Sequence, residues 1–392
     1  MHRALLSGAA ACVLALALQT AAARADDTIV IGFGGGLTGS LAFYDGLTRN
    51  GAQMAVDEIN AAGGIAGKYR IDFEVKDVGS EPSAAVAVGR EFVTGGAKVL
   101  IAPCDLATAV IFGLPAEGAG SPVVAPCVST PDRAAAFGRR FLFQLYPADN
   151  LQAAALAKFA REQGYRTAYI LQSSATAATE KLPLYFSRAF EAMGGRLVGK
   201  SGYALGQPEF DAAIADIKKL SPPPDLVMTA AAEPEFPIFL SELRDANVTV
   251  PVLASDAIDS PTTLALGDAA EGVVYVGVGY PAAGSALAKF DQDYAARFGG
   301  DPQTDVAPYA ATAYEAIELI AAAIAKAGSI DGAAISDALD GTADFVGVTG
   351  ARITLVGRHG LALRDVAIIR IEKGRKTLVE MMRPEPGEVP AP

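Results

Sequence analysis

An acid follows an apolar run at residues 250–254, and Asp256 there stands where an open α/β sheet presents groups to a ligand, just beyond the carboxyl end of a strand. A carboxylate in that position can receive an ammonium group; its alternative role is to cap a helix or to sit on the surface. Equivalent strand ends supply the stretches 36–44, 104–108 and 127–130 in the first half of the chain, and 173–179 and 230–233 in the second. These are rich in small side chains and hydroxyls. Backbone amides opening toward helix N-termini hold a carboxylate or another anion without arginine.

Other chemistry lacks its parts. Gly34, Gly36 and Gly39 spell GxGxxG after a strand, but a dinucleotide site needs an acid about 20 residues on, at the end of the second strand. Here Asp57 and Glu58 fall inside a helix, and the second strand, 71–76, ends only at Asp77. The chain beyond residue 25 has one histidine, His359, in a Gly-Arg-His-Gly turn that reads as a hairpin tip. There is no GxSxG elbow, HExxH pair or CxxC pair, so no catalytic residue, metal site or cofactor is expected.

The elements that position these loops follow from periodicity. Short β-branched runs (28–32, 99–102, 167–171, 226–229, 250–254) alternate with alanine-rich stretches of helical period, a pattern that builds parallel sheets covered by helices. With 392 residues, two domains are expected. Extended stretches at 141–147, 272–280 and 345–350 read as three crossings between lobes, Pro147 holding its predecessor extended. The expected fold is therefore α/β, two doubly wound parallel-sheet lobes joined by a three-crossing hinge. Lobe 1 takes 26–145 plus 278–347 and lobe 2 takes 146–277 plus 348–383. The proline-rich end, 384–392, is expected to be disordered.

Residues 1–25 read as a secretory signal: a short basic end at Arg3, an apolar run 4–18, and Ala23-Arg24-Ala25 as the cleavage site. The run is shorter than the roughly 20 residues that span a bilayer. The whole chain carries a net charge of −12, and loss of Arg3 and Arg24 with the signal makes it more acidic, which excludes nucleic acid and anionic membrane surfaces as partners. Cys104 and Cys127 each follow an apolar strand. An exported protein permits their oxidation, and strands that neighbour in a parallel sheet would bring them within reach; two buried thiols are the other possibility.

Leu37-Thr38-Gly39, Tyr44 and the run from Gly51 to Gly67, with its Ile-Asn helix end and Gly-Gly-Ile, resemble the opening motif of the periplasmic leucine/isoleucine/valine-binding protein family, the branched-chain amino-acid class of solute receptors for ABC transporters. Looser similarity covers about the whole mature chain, through Ala84-Val86-Ala87, Phe92-Val93, Val348-Thr349-Gly350 and Lys373-Gly374. The resemblance implies the type I periplasmic binding fold, a small-molecule solute bound between the lobes by hinge closure, an ABC permease in the inner membrane as partner, and a monomer in the periplasm. Position by position, it implies Tyr44, Leu106, Thr108, Cys127 and Ser129 on the first wall and Thr179, Ala232, Asp256 and Tyr309 around the rest of the cleft. The acid is retained as Asp where the family usually has Glu. Leu106 stands in place of a serine, Thr179 of a tyrosine and Ala232 of an aromatic. These departures open the alternative of an amide, a urea-like compound or an aromatic acid as ligand; a receptor that presents its closed form to a signalling protein in place of the permease is the competing reading. Asp105, beside Leu106, is read as a cap for the helix that follows.

Overall fold

The computed structural model describes residues 27–131, 141–300 and 308–392; the expected signal at 1–25 lies outside them. The first lobe alternates β1 (Asp27–Gly35), α1 (Ala42–Ala61), β2 (Tyr69–Asp77), α2 (Pro82–Thr94), β3 (Val99–Ile101), α3 (Leu106–Gly118), β4 (Val123–Ala125) and β5 (Leu142–Gln144). Its strands form one parallel sheet in the order β2-β1-β3-β4-β5.

The period of two along each strand explains why both faces of this sheet are covered. Ile29, Ile31 and Phe33 of β1, with Val99, Ile101 and Val124, join one core. Leu100, Val123 and Ala125 point to the other face and join a second core with Phe92 and Phe112.

The second lobe repeats the arrangement with α4 (Asp149–Glu162), β6 (Thr167–Gln172), α5 (Ala177–Ala192), β7 (Arg196–Gly202), α6 (Asp211–Lys219), β8 (Leu226–Thr229), α7 (Glu235–Asp245), β9 (Val252–Ala254), the short α8 (Pro261–Leu264) and β10 (Val274–Gly277). Ala168 and Ile170 of β6 pack under α4 and α5, while Tyr169 and Leu171 pack under α6 and α7. The chain then returns to the first lobe as α9 (Ala286–Phe298), α10 (Pro308–Ala327) and α11 (Gly332–Asp340). A three-stranded sheet follows, of β11 (Phe345–Val346), β12 (Arg352–Thr354) and β13 (Leu363–Arg364), before β14 (Val366–Glu372) and β15 (Arg375–Met382) add an antiparallel edge to the second sheet. That sheet runs β15-β14-β10-β9-β8-β6-β7.

Helix α10 is the spine of the first lobe. Ile317, Ile320 and Ile324 fill its core, and α1 lies so close that a Cβ on Gly51 would stand 2.0 Å from the Ala310 carbonyl oxygen.

Two features differ from the sequence reading. The expected crossing at 345–350 stays with the first lobe: β11 pairs with β12, and Ile353, Leu355 and Ala362 complete the first core, so the chain reaches the second core only at Leu361 and Leu363. The β-branched run at 345–350 signalled extended chain, and extended chain is equally what a short antiparallel sheet requires. The end of the chain, expected to be disordered, lies against α4 instead. Glu388 pairs with Lys158 at 3.0 Å, Asn150 Nδ2 donates to the Pro390 carbonyl at 2.8 Å, and Val389 packs on the second-lobe core. Composition alone hid these three anchors.

One buried arginine gathers the connections between the lobes. Arg364 is fully buried; its Nη1 donates to the Leu145 carbonyl (2.9 Å) and its Nη2 to the Val278 carbonyl (3.1 Å) and the Thr349 hydroxyl (2.9 Å). Leu145 and Val278 lie on the first and second passages of the chain between lobes, and Arg364 itself on the third. Glu315 Oε2 of α10, also fully buried, lies 3.0 Å from Nη1 and supplies the counter-charge.

Candidate functional site

The glycine-rich loop after β1 has its amides already engaged. Gly36 N donates to Asp45 Oδ2 at 2.7 Å, and Leu37 N and Thr38 N donate to Asp77 Oδ1 at 2.9 and 3.3 Å. Asp45 is fully buried and also accepts Cys104 N, at 2.9 Å; burial nevertheless pushes its carboxyl up to about 6. Internal carboxylates thus occupy the donors a phosphate would need, in agreement with the absence of the ribose-binding acid from the sequence.

The first wall comes from the loops after β3 and β4. Cys104 and Cys127 are joined in a disulfide with Cα atoms 5.0 Å apart, which answers the question the sequence left open. Asp105 caps α3: its Oδ2 accepts Thr108 N (2.8 Å) and the Thr108 hydroxyl (2.7 Å). Thr108 is therefore buried beside the wall with its donors committed to the cap. Leu106 packs against the core around Phe112. The Ser129 carbonyl accepts Asp149 N at 2.8 Å, and the Ser129 hydroxyl hydrogen-bonds the Asp149 carboxylate.

A cluster of phenols and acids occupies the space between the lobes. The Tyr44 ring, 40% exposed, meets Tyr309 edge-on at 5.2 Å; Tyr309 stacks on Tyr146 at 5.6 Å; and the Tyr146 hydroxyl donates a short hydrogen bond to Asp256 Oδ2. Asp256 sits on the turn after β9 that Ser255 caps. Burial raises its pKa, opposed by hydrogen bonds from Tyr146 and the Gln152 side chain. Burial, and after it the Asp256 charge, lift the Tyr146 and Tyr309 phenols well above the ordinary tyrosine value, so both remain neutral donors. Asp149, in the first turn of α4, is buried and one of its oxygens has no hydrogen-bond partner; burial pushes it up to about 7.

Of the residues singled out in the sequence, Tyr44, Tyr309 and Asp256 are brought together through Tyr146. Two others are turned to local structure. Thr179 closes a capping box with Thr176 at the start of α5, its hydroxyl 2.9 Å from that of Thr176. The Ala232 carbonyl accepts Phe236 N at 2.7 Å as α7 begins, and its methyl presents no polar group.

A fold of two such lobes, with its acid and phenols between them, matches a family model described as periplasmic binding protein over residues 28–376. The chain belongs to that family. As a periplasmic binding protein it is similar to the leucine-, isoleucine-, valine-, threonine-, and alanine-binding protein of Pseudomonas aeruginosa, 26% identical over 83% of this chain and 86% of the relative. Among solved structures, it shares its fold with a branched-chain amino acid transporter substrate binding protein from Streptococcus pneumoniae in complex with isoleucine. The TM-score is 0.75 at 24% identity, covering 91% of this chain and all of that one. A solute binding protein from R. palustris in complex with benzoate has the same fold (TM-score 0.71, 19% identity, 91% of this chain and 97% of that one).

Sequence reasoning missed three residues that surround Asp256 in this binding protein: Tyr146, Asp149 and Gln152. Tyr146 was visible only as part of an extended crossing, and Asp149 has the ordinary place of an acid in a helix's first turn. Gln152 gave no signal.

Proposed function

We propose that this chain is the exported solute receptor of an ABC importer and that it closes its two lobes on a small amine-bearing solute, an amino acid or a relative of one, with Asp256 on the ammonium group. The observation that carries this reading is the state of Asp256: a carboxylate between the lobes whose partners are a neutral phenol and an amide, with no cation paired to it among the described residues. An ammonium supplies the missing charge, and the rings of Tyr44, Tyr146 and Tyr309 offer faces and edges around it. The P. aeruginosa relative, named for five amino acids, supports the class. The benzoate complex of the same fold defines the contrasting class, an acid without an ammonium, which the Asp256 charge would repel.

The mechanism is capture without chemistry. Contacts to both lobes exist together only in the closed form, so the ligand shifts the hinge equilibrium by its differential affinity for that form. An inner-membrane permease reads the closed monomer in the periplasm, the signal having been cleaved after Ala25.

Calorimetric titration with a panel of amino acids, amides and aromatic acids tests the reading. The expected result is saturable binding of an amine-bearing member, weakened about ten-fold or more by Asp256→Asn, the scale of a lost charge-assisted hydrogen bond. Unchanged affinity in the variant, or binding confined to benzoate-like acids, would remove Asp256 from the role.

A further inference from the structure

A cavity of about 440 Å³ lies between the first lobe's α9 and the second lobe, and none of the phenol cluster lines it. One side of α9 is anchored in the first lobe, where Leu287, Phe290 and Tyr294 pack with Met54, Ala310 and Val348. Its other side turns Ala288 and Asp291 into the cavity, opposite Leu264, Tyr280, Arg375 and Lys376. Leu264 and Tyr280 pack on the second-lobe core, and the Tyr280 hydroxyl donates to the Lys376 carbonyl at 3.1 Å. The walls thus come from both lobes, and the volume falls in the range of small-molecule sites.

Asp291 is the group that calls for a ligand. It is 8% exposed, it is not among the fully enclosed unpartnered groups, and its carboxylate lines the cavity with no hydrogen bond from a described residue. A carboxylate so placed has only water or a ligand in the cavity to donate to it. The nearest cation does not relieve it, because Lys376 Nζ is in contact with Asp259 Oδ1 at 2.5 Å. Burial accordingly pushes the Asp291 carboxyl up to about 7 against the pull of Lys376. Arg375, also on the cavity, is exposed. The Lys376–Asp259 pair is neutral as a unit, so Asp291 is the acid of the cavity with no hydrogen-bond donor of its own among the described residues, beside the apolar surfaces of Leu264 and Ala288.

We infer that this cavity is a second binding site, for a small organic ammonium ion whose nitrogen donates to Asp291 and whose short apolar body lies against Leu264 and Ala288. The inference does not rest on the role proposed for Asp256. An occupant touching both walls also bridges the lobes, so it acts on the same hinge as the solute in the cleft.

Ligand-observed NMR with n-butylamine, and with n-butanol as the uncharged control, tests it on the mature protein. Butylamine is expected to bind the wild type with a millimolar dissociation constant, the range of a fragment held by one charged contact, while butanol shows no binding. Asp291→Asn, which keeps shape and removes charge, should weaken butylamine binding at least about five-fold. Ala288→Leu, which fills the cavity and leaves the charge, should weaken it similarly, and both losses should persist in an Asp256→Asn background, where the cleft no longer offers its own carboxylate. Butylamine binding retained in both cavity variants of that background, abolished by Asp256→Asn alone, or undetectable in the wild type up to about 10 mM would overturn the site. Melting curves of the two cavity variants report whether each keeps the wild-type fold, and a loss of binding counts only in a variant that does.

Discussion

Replacing Arg364 with methionine tests the junction of the lobes most directly. The change keeps an unbranched side chain in a fully buried place but removes hydrogen bonds to Leu145 O, Val278 O and the Thr349 hydroxyl. It also strands Glu315, whose Oε2 lay 3.0 Å from the guanidinium, as a buried acid with no cation. Breaking a buried pair from one side costs about 3–5 kcal/mol, most of it the cost of the orphaned charge. The two carbonyls left without a donor raise the figure toward the upper end. Urea unfolding of the mature protein should show a lower midpoint by that amount at an unchanged slope. The orphaned charge makes a second, sharper prediction: Glu315→Gln in the Arg364→Met background should recover about 2 kcal/mol or more, as expected for two residues in one network. An Arg364→Met variant within about 1 kcal/mol of wild type, or a double variant as unstable as the sum of the singles, would refute the argument that this pair holds the passages together.

Acid should stabilise the ligand-free protein between about pH 4 and pH 7. Burial raises Asp149 and Glu318 to about 7, so the folded state holds these protons more tightly than the unfolded chain. Their contribution is complete below the ordinary carboxylate value and is lost as pH rises through about 7. Melting temperatures at pH 5 should exceed those at pH 8, and Asp149→Asn should flatten the difference. Gly51→Ala gains helix propensity of about 1 kcal/mol, but its Cβ would meet the Ala310 oxygen at 2.0 Å. The net result should be a loss of about 1–3 kcal/mol in chemical denaturation, as α1 is forced off α10. Replacing Cys104 and Cys127 with serine opens a loop of sequence separation 23 and should cost about 3 kcal/mol in the same assay.

The two lobes were legible because each strand alternates between two cores: Ile29 and Ile31 against one set of helices, Leu100 against another. Such patterning is local and survives in the sequence. The same is true of Asp105, whose carboxylate caps α3 as its position before the helix predicts. Thr179 shows the opposite case. Its spacing from Thr176 is that of a helix cap, and the structure uses it so, whereas its place around the cleft was implied by family position alone. Arg364 and Glu315 were invisible because their contact spans two lobes and each residue looks like a surface charge in its own segment. Tyr146 and Gln152 were hidden for a related reason: what faces Asp256 is decided by how the first passage leaves β5.

The disulfide has a consequence for ligand capture beyond the stability of the chain. It fastens the loop bearing Asp105, at the start of α3, to the loop bearing Ser129, and the Thr48 hydroxyl, 3.3 Å from the Cys104 sulfur, joins both to α1. One side of the cleft is therefore a stiff plate before any solute arrives. Little conformational freedom remains there to be lost on closure, so the entropic cost of ordering falls on the second lobe and on the passages between them. In a reducing medium the same fold would have two loops to immobilise at each encounter, and weaker retention of the solute, through faster release, would precede any loss of structure.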